Sequence, residues 1–324
     1  MSGDARAARA GAEAFLAEAE AAGLTGHAAF ARRMRGFLRF INGELVDARV
    51  DLERALAEYD EKRDESLRAA FAVDFRSNAL TYLGQVTWWL GEPDEARRFT
   101  DEGIARARES GQPASHAAAL YNRLLIGAVC GKAEAVLPAA EDLRAFAERH
   151  DLKFWRAMAS TYADWARVRL GEPSAEAFRA GFAAYAGLGA KMQEVALLPL
   201  LADVELAAGR RDEALTAAER GLACAAETGL EGWRPWLLLK RAEALAEVDA
   251  AGAALACREA LTRAQAQGAR AFALIAALAL ARLPQSGGQA EEAHRLLGDA
   301  LAGFAPTPEF PAIAEARAFL DALA

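Results

Sequence analysis

The sequence predicts an all-α protein: a right-handed α-α superhelix of about seven helical hairpins, with a capping helix at each end. Three observations carry this reading. Hydrophobic residues make up 53% of the 324-residue chain, much of that alanine, while proline stands at only 10 positions and β-branched runs are scarce, which favours helix. Turns of one kind recur at near-constant spacing. Small residues recur at fixed distances from those turns.

Residues 1–24 form the first element, a capping helix from near Asp4 to Ala21. The repeats occupy residues 25–303. Their anchors are Gly43 ("INGELVDA"), Gly91 ("LGEPDEA"), Gly131 ("CGKAEAV"), Gly171 ("LGEPSAEA"), Gly209 ("AGRRDEA"), Val248 ("EVDAAGA") and Gly288 ("GGQAEEA"). The intervals are 48, 40, 40, 38, 39 and 40 residues. Each anchor stands between two helical segments; glycine there ends one helix in the left-handed conformation, and an acid or proline starts the next. The longer first interval falls in residues 61–77, which either lengthen the helix before Gly91 or add a loop. Residues 304–324 close the array with a helix near Pro311 to Leu323, where "AEARAFLDALA" mixes charged and apolar positions as a terminal cap requires.

Pairs of small residues lie seven before and five after the anchors: Gly36 with Ala48, Gly84 with Ala96, Ala202 with Ala214, and Ala281 with Ala293. Antiparallel helices approach closely only where neither carries a bulky side chain, so these pairs mark the crossings within hairpins. A third small position, twelve after the anchor (Ala55, Gly103, Ala183, Gly221, Ala260, Ala300, with Leu143 the exception), is expected to admit the next hairpin. The array is therefore one domain in which each unit buries its apolar face against its neighbours.

Charge and motifs exclude several functions. A net charge of −8 supplies no global field for nucleic acid, and the basic stretch Arg32, Arg33, Arg35 and Arg39 reads as a solvated helix face. The N-terminus carries acids where a signal peptide needs an unbroken apolar core, and the longest apolar run, Ala271 to Ala281, is about half a bilayer span. Cys130, Cys224 and Cys257 form no CxxC pair and read as packed thiols in a reducing compartment. These features predict a cytoplasmic chain with no membrane or nucleic-acid partner. "GAVCGKA" has three residues between its glycines and no hydroxyl after Lys132, so it is not a phosphate loop. "GLGAKM" lacks the third glycine of a dinucleotide site, and Glu291 with His294 is half a di-iron pattern without its second half. No metal, cofactor or catalytic residues are expected.

Glycine eight and alanine twenty, with a small residue at position twenty-seven, is the tetratricopeptide pattern, seen here in "YLG" at 82–84, "LGEPDEA" at 90–96 and Gly103. From about residue 59 onward, "YDEKRDESLRAAFAVDFRSNALTYLGQVTWWLGEPDEA", "LLADVELAAGRRDEALTAAERGLACAAETG" and "WLLLKRAEALAE" resemble the C-terminal repeats of bacterial STAND-type signalling ATPases that carry a class III cyclase or a DNA-binding domain. The resemblance covers roughly four-fifths of the chain. It implies a non-enzymatic module that binds a protein, peptide or small-molecule effector and regulates such an ATPase, cyclase or transcription regulator; a constitutive adaptor is the alternative. Those proteins carry the ATPase and effector upstream, so the chain is expected to be an isolated repeat region or to act with separate partners.

The resemblance also implies a concave face lined by the first helices. Transferring its register nominates Arg33, Phe37 and Phe40, then Asn78, Gln85 and Trp88, then Tyr121, then Thr161 and Trp165, then Asp203. The same register sets aside a carboxylate clamp, because Phe37, Tyr82 and Ala118 stand where basic or amide residues belong and only Asn122 fits. Adjacent helical residues point about 100° apart, so Trp88 and Trp89 are not both expected to face the core. The aromatics either form one binding pocket or fill a tightly wound superhelix. Trp233 and Trp236, flanking Pro235, read as structural.

Overall fold

Alanine-rich segments punctuated by glycine fold as antiparallel helical pairs, as the computed structural model shows; it describes residues 5–64, 67, 74–187, 191–284 and 288–322. Among them no strand occurs, and no helix is long and apolar enough to cross a membrane. A first helix α1 (Ala5–Ala21) precedes seven hairpins. These are α2 (Thr25–Asn42) with α3 (Leu45–Glu58), α4 (Phe75–Trp89) with α5 (Pro93–Glu109), α6 (Pro113–Val129) with α7 (Ala133–Arg149), and α8 (Lys153–Arg169) with α9 (Ala175–Gly187). Then come α10 (Lys191–Ala207) with α11 (Arg211–Thr228), α12 (Arg234–Leu245) with α13 (Ala250–Gln267), and α14 (Arg270–Arg282) with α15 (Gly288–Leu301). A short 3₁₀ turn, Glu231–Trp233, leads into α12, and α16 (Pro311–Asp321) ends the array.

The anchors Gly43, Gly91, Gly131, Gly171 and Gly209 all adopt left-handed φ, between 70° and 86°. Gly288 differs, standing as the first residue of α15. At Val248 the turn is closed by Asp249, whose Oδ1 accepts from the Gly252 backbone N–H at 2.8 Å. The extra residues of the first interval lie between α3 and α4: α3 stops at Glu58 and α4 starts at Phe75 with Asp74 as its cap, so no helix is lengthened. Residues 65–66 and 68–73 of that interval lie outside the described residues.

The small pairs are all buried. A Cβ on Gly84 would sit 3.1 Å from the Ala96 carbonyl oxygen and 2.3 Å from Thr100 Oγ1. The obstacle includes backbone, which cannot swing away, so Gly84→Val should cost about 1–3 kcal/mol by overpacking; an unchanged urea midpoint would refute the crossing. The third small position is less regular than expected. Gly221 meets Leu237 of the next hairpin, but Gly103 meets Ser77 and Thr81 of its own. Ala183 is exposed, because α9 starts two residues later after its glycine than α5 does, a rotation of about 200° at 3.6 residues per turn.

The first helices α2, α4, α6, α8, α10, α12 and α14 each touch the next, and α14 also touches α4. The row therefore bends back on itself. Its seam is tight: a Cβ on Gly91 would be 2.9 Å from Arg270 Cβ and from Phe304 Cζ, and one on Gly232 would be 2.6 Å from the Phe40 carbonyl. Across this seam Trp88 and Trp89 lie edge-on to Phe272 of α14 at 5.8 and 5.4 Å, Trp88 meets Phe310 at 5.3 Å, and Trp89 meets Trp233 at 5.9 Å. Both tryptophans are consequently buried, 2% and 1% exposed, which corrects the expectation that one would be partly open. An apolar residue on either helix face finds protein here because the array supplies neighbours on both sides.

Candidate functional site

The concave side keeps an opening of about 120 Å³ between α2, α4, α6, α8, the start of α10 and the 3₁₀ turn. Phe37 and Phe40 come from α2, and Asn78, Tyr82 and Gln85 from successive turns of α4. Tyr121 and Asn122 come from α6, Trp155 and Met158 from α8, Met192 and Gln193 from α10, and Trp233 from the turn. Spacings of three and four residues place Phe37 with Phe40, Asn78 with Tyr82 and Gln85, and Trp155 with Met158 on one face of their helices.

The walls are aromatic. Phe37 stacks on Tyr82 at 4.6 Å, and Tyr121 tilts against Trp155 at 5.6 Å. Phe154, 43% exposed, meets Trp155 edge-on at the mouth. Polar capacity is supplied by amides: Gln85 Nε2 donates to Asn122 Oδ1. Trp233 Nε1–H is buried with no acceptor among the described residues. Burial pushes Tyr121 up to about 12, so its hydroxyl stays protonated at neutral pH. Among the described residues no Asp, Glu, Lys, Arg or His lines the opening.

Just beyond Asn78 lies Arg33. Its guanidinium is buried over Phe30, 4.6 Å from the ring centre, and donates through Nη1 to Asn78 Oδ1, while Nε has no hydrogen-bond partner among the described residues. Among the described residues no carboxylate pairs with it, and desolvation lowers its pKa. A buried cation without a counter-ion is costly, and the cation–π contact offsets only part of that.

Of the ten nominated residues, Phe37, Phe40, Asn78, Gln85 and Tyr121 border the opening, and Arg33 adjoins it through Asn78. The other four lie elsewhere. Trp88 belongs to the seam, Thr161 is buried with its hydroxyl donating to the Ala157 carbonyl at 3.0 Å, and Trp165 is fully enclosed, its Nε1 donating to Asp203 Oδ2 at 3.1 Å. Asp203 also pairs with Lys240 at 2.8 Å. The transferred register thus brings residues of the first three hairpins to the opening, whereas Trp88 of the second hairpin and the residues nominated from the fourth and fifth are buried away from it. It missed Tyr82, Trp155, Met192, Gln193 and Trp233. Tyr82 stands one turn after Asn78 on the same face, a signal present in the sequence, whereas Trp233 reaches the opening only because the seam closes. Neither a protein-family model nor a curated protein matches this chain, so a functional reading rests on these residues.

Proposed function

We propose that this chain is a non-enzymatic helical-repeat scaffold whose concave opening receives a segment of a protein partner. One observation carries the reading: an aromatic, amide-bearing opening without charged lining residues lies beside a buried arginine that has no acid among the described residues. About 120 Å³ is below the roughly 300–1,000 Å³ typical of small-molecule sites, but it admits one apolar side chain. The amide groups at the opening suit the backbone of an extended segment, and a carboxylate on that segment would neutralise Arg33. In keeping with the tetratricopeptide resemblance, the partner is proposed to be a signalling ATPase, cyclase or transcription regulator whose state the binding biases.

Panning a random peptide display library against the full chain tests this. Enriched peptides should pair a large apolar residue with a nearby acid. Phe37→Ala should weaken them, and Arg33→Gln should weaken acid-bearing peptides about tenfold, the equivalent of about 1.4 kcal/mol, while sparing their amide counterparts. Peptides indifferent to both substitutions, or no enrichment, would contradict the reading.

A further inference from the structure

A larger cavity, about 300 Å³, lies away from that opening, between α5, α6 and α7 and against the segment joining α15 to α16. Its size reaches the lower end of the range for small-molecule sites. Trp88, Ala96, Leu124, Gly127 and Val136 form an apolar interior, and charged side chains surround it.

The charges do not balance. Among the described lining residues, Arg97, Arg123 and Lys132 stand against two carboxylates, Asp101 and Glu309. Arg97 lies 3.3 Å from Glu309 and 3.8 Å from Asp101, Arg123 pairs with Asp101, and Lys132 is 3.9 Å from Glu309 while donating to the Pro308 carbonyl at 3.0 Å. Three cations therefore share two carboxylates, both already engaged. The interior shows the same excess of donors. Trp88 is 2% exposed, and among the described residues its Nε1–H has no oxygen or nitrogen acceptor; beside it stands only the weak sulfur acceptor of Cys130, which also borders the cavity. Donors outnumber acceptors at both ends.

We propose that this cavity binds a small carboxylate with an apolar body about the size of a benzene ring, its charge beside Arg97, Arg123 and Lys132 and its body against Trp88. The site is independent of the concave opening, with which it shares no lining residue. A simple aryl carboxylate and an apolar amino acid share this chemistry, and the test separates them.

Full-length ¹⁵N-labelled protein is titrated with sodium benzoate, with phenylalanine and with neutral benzamide, following the Trp88 indole N–H resonance, assigned through Trp88→Phe. Benzoate or phenylalanine should shift it saturably, with a Kd of about 0.1–10 mM, as expected for about ten non-hydrogen atoms. Benzamide should bind at least about tenfold more weakly. Tighter binding of phenylalanine than of benzoate assigns an amino acid; the reverse assigns an aryl carboxylate. Ala135→Phe, at an exposed position on the cavity's edge, should abolish the shift with melting unchanged, and Ala139→Leu fills the same space from the next turn of α7. An unmoved resonance at about 20 mM of both carboxylates, equal binding of benzamide, or a shift undiminished in both filled variants would overturn the proposal.

Discussion

Replacing Trp88 with alanine should destabilise the protein by about 3–5 kcal/mol, the range for deleting a fully buried large aromatic. The rings that surround it come from three separate parts of the chain: Trp89 beside it, Phe272 of α14 and Phe310 at the start of α16. Alanine would leave a void that none of them can fill without opening the seam. Had Trp88 lined an open groove, as the transferred register predicts, the same change would cost well under 1 kcal/mol, as exposed substitutions do. The urea midpoint therefore separates the two placements, and a loss below about 1 kcal/mol would return Trp88 to an open face.

The second large effect is at Lys240. Its side chain is 12% exposed, and its ammonium lies 2.8 Å from Asp203, itself 4% exposed and held on its other oxygen by Trp165. Burial alone would lower the Lys240 pKa, but Asp203 and Glu243 together outweigh it and raise it. Lys240→Met should cost about 3–5 kcal/mol, because it leaves the Asp203 carboxylate buried beside an indole alone. Converting both, as Lys240→Met with Asp203→Leu, should recover most of that loss. The pH dependence follows in sign from the raised value. The contribution is fully present below the unfolded lysine pKa of about 10.4 and fades as pH rises beyond it toward the folded value. Wild-type stability should decline above about pH 10 more steeply than that of the double variant. Parallel profiles would show that the pair is not coupled to folding.

The hairpins were legible because their signals are local. A glycine that needs left-handed φ and two small residues at a crossing act over a dozen positions, and the array repeats them. Gly84 and Ala96 lie where that pattern puts them. Closure was not legible, because it depends on small rotations summed over many hairpins and on pairs such as Trp88 with Phe310, more than two hundred residues apart. The candidate site divides the same way. Phe37, Asn78, Gln85 and Tyr121, nominated by the register that the resemblance implies, border the opening, whereas Trp165 and Asp203, nominated by the same register, are buried against each other. Arg33 read as a member of a solvated basic face. Its burial against Phe30 arises from the packing of α2 on its neighbours, which the run of arginines does not reveal.

The row of inner helices closes, with α14 and the start of α16 seated on α4. Nuclear Overhauser spectroscopy on the intact chain measures this directly. Cross-peaks should join the Trp88 indole to the ring protons of Phe272 and Phe310, whose centres lie 5.8 and 5.3 Å away. Absence of both, together with rapid solvent exchange of the Trp88 indole proton, would show an open array and contradict the account.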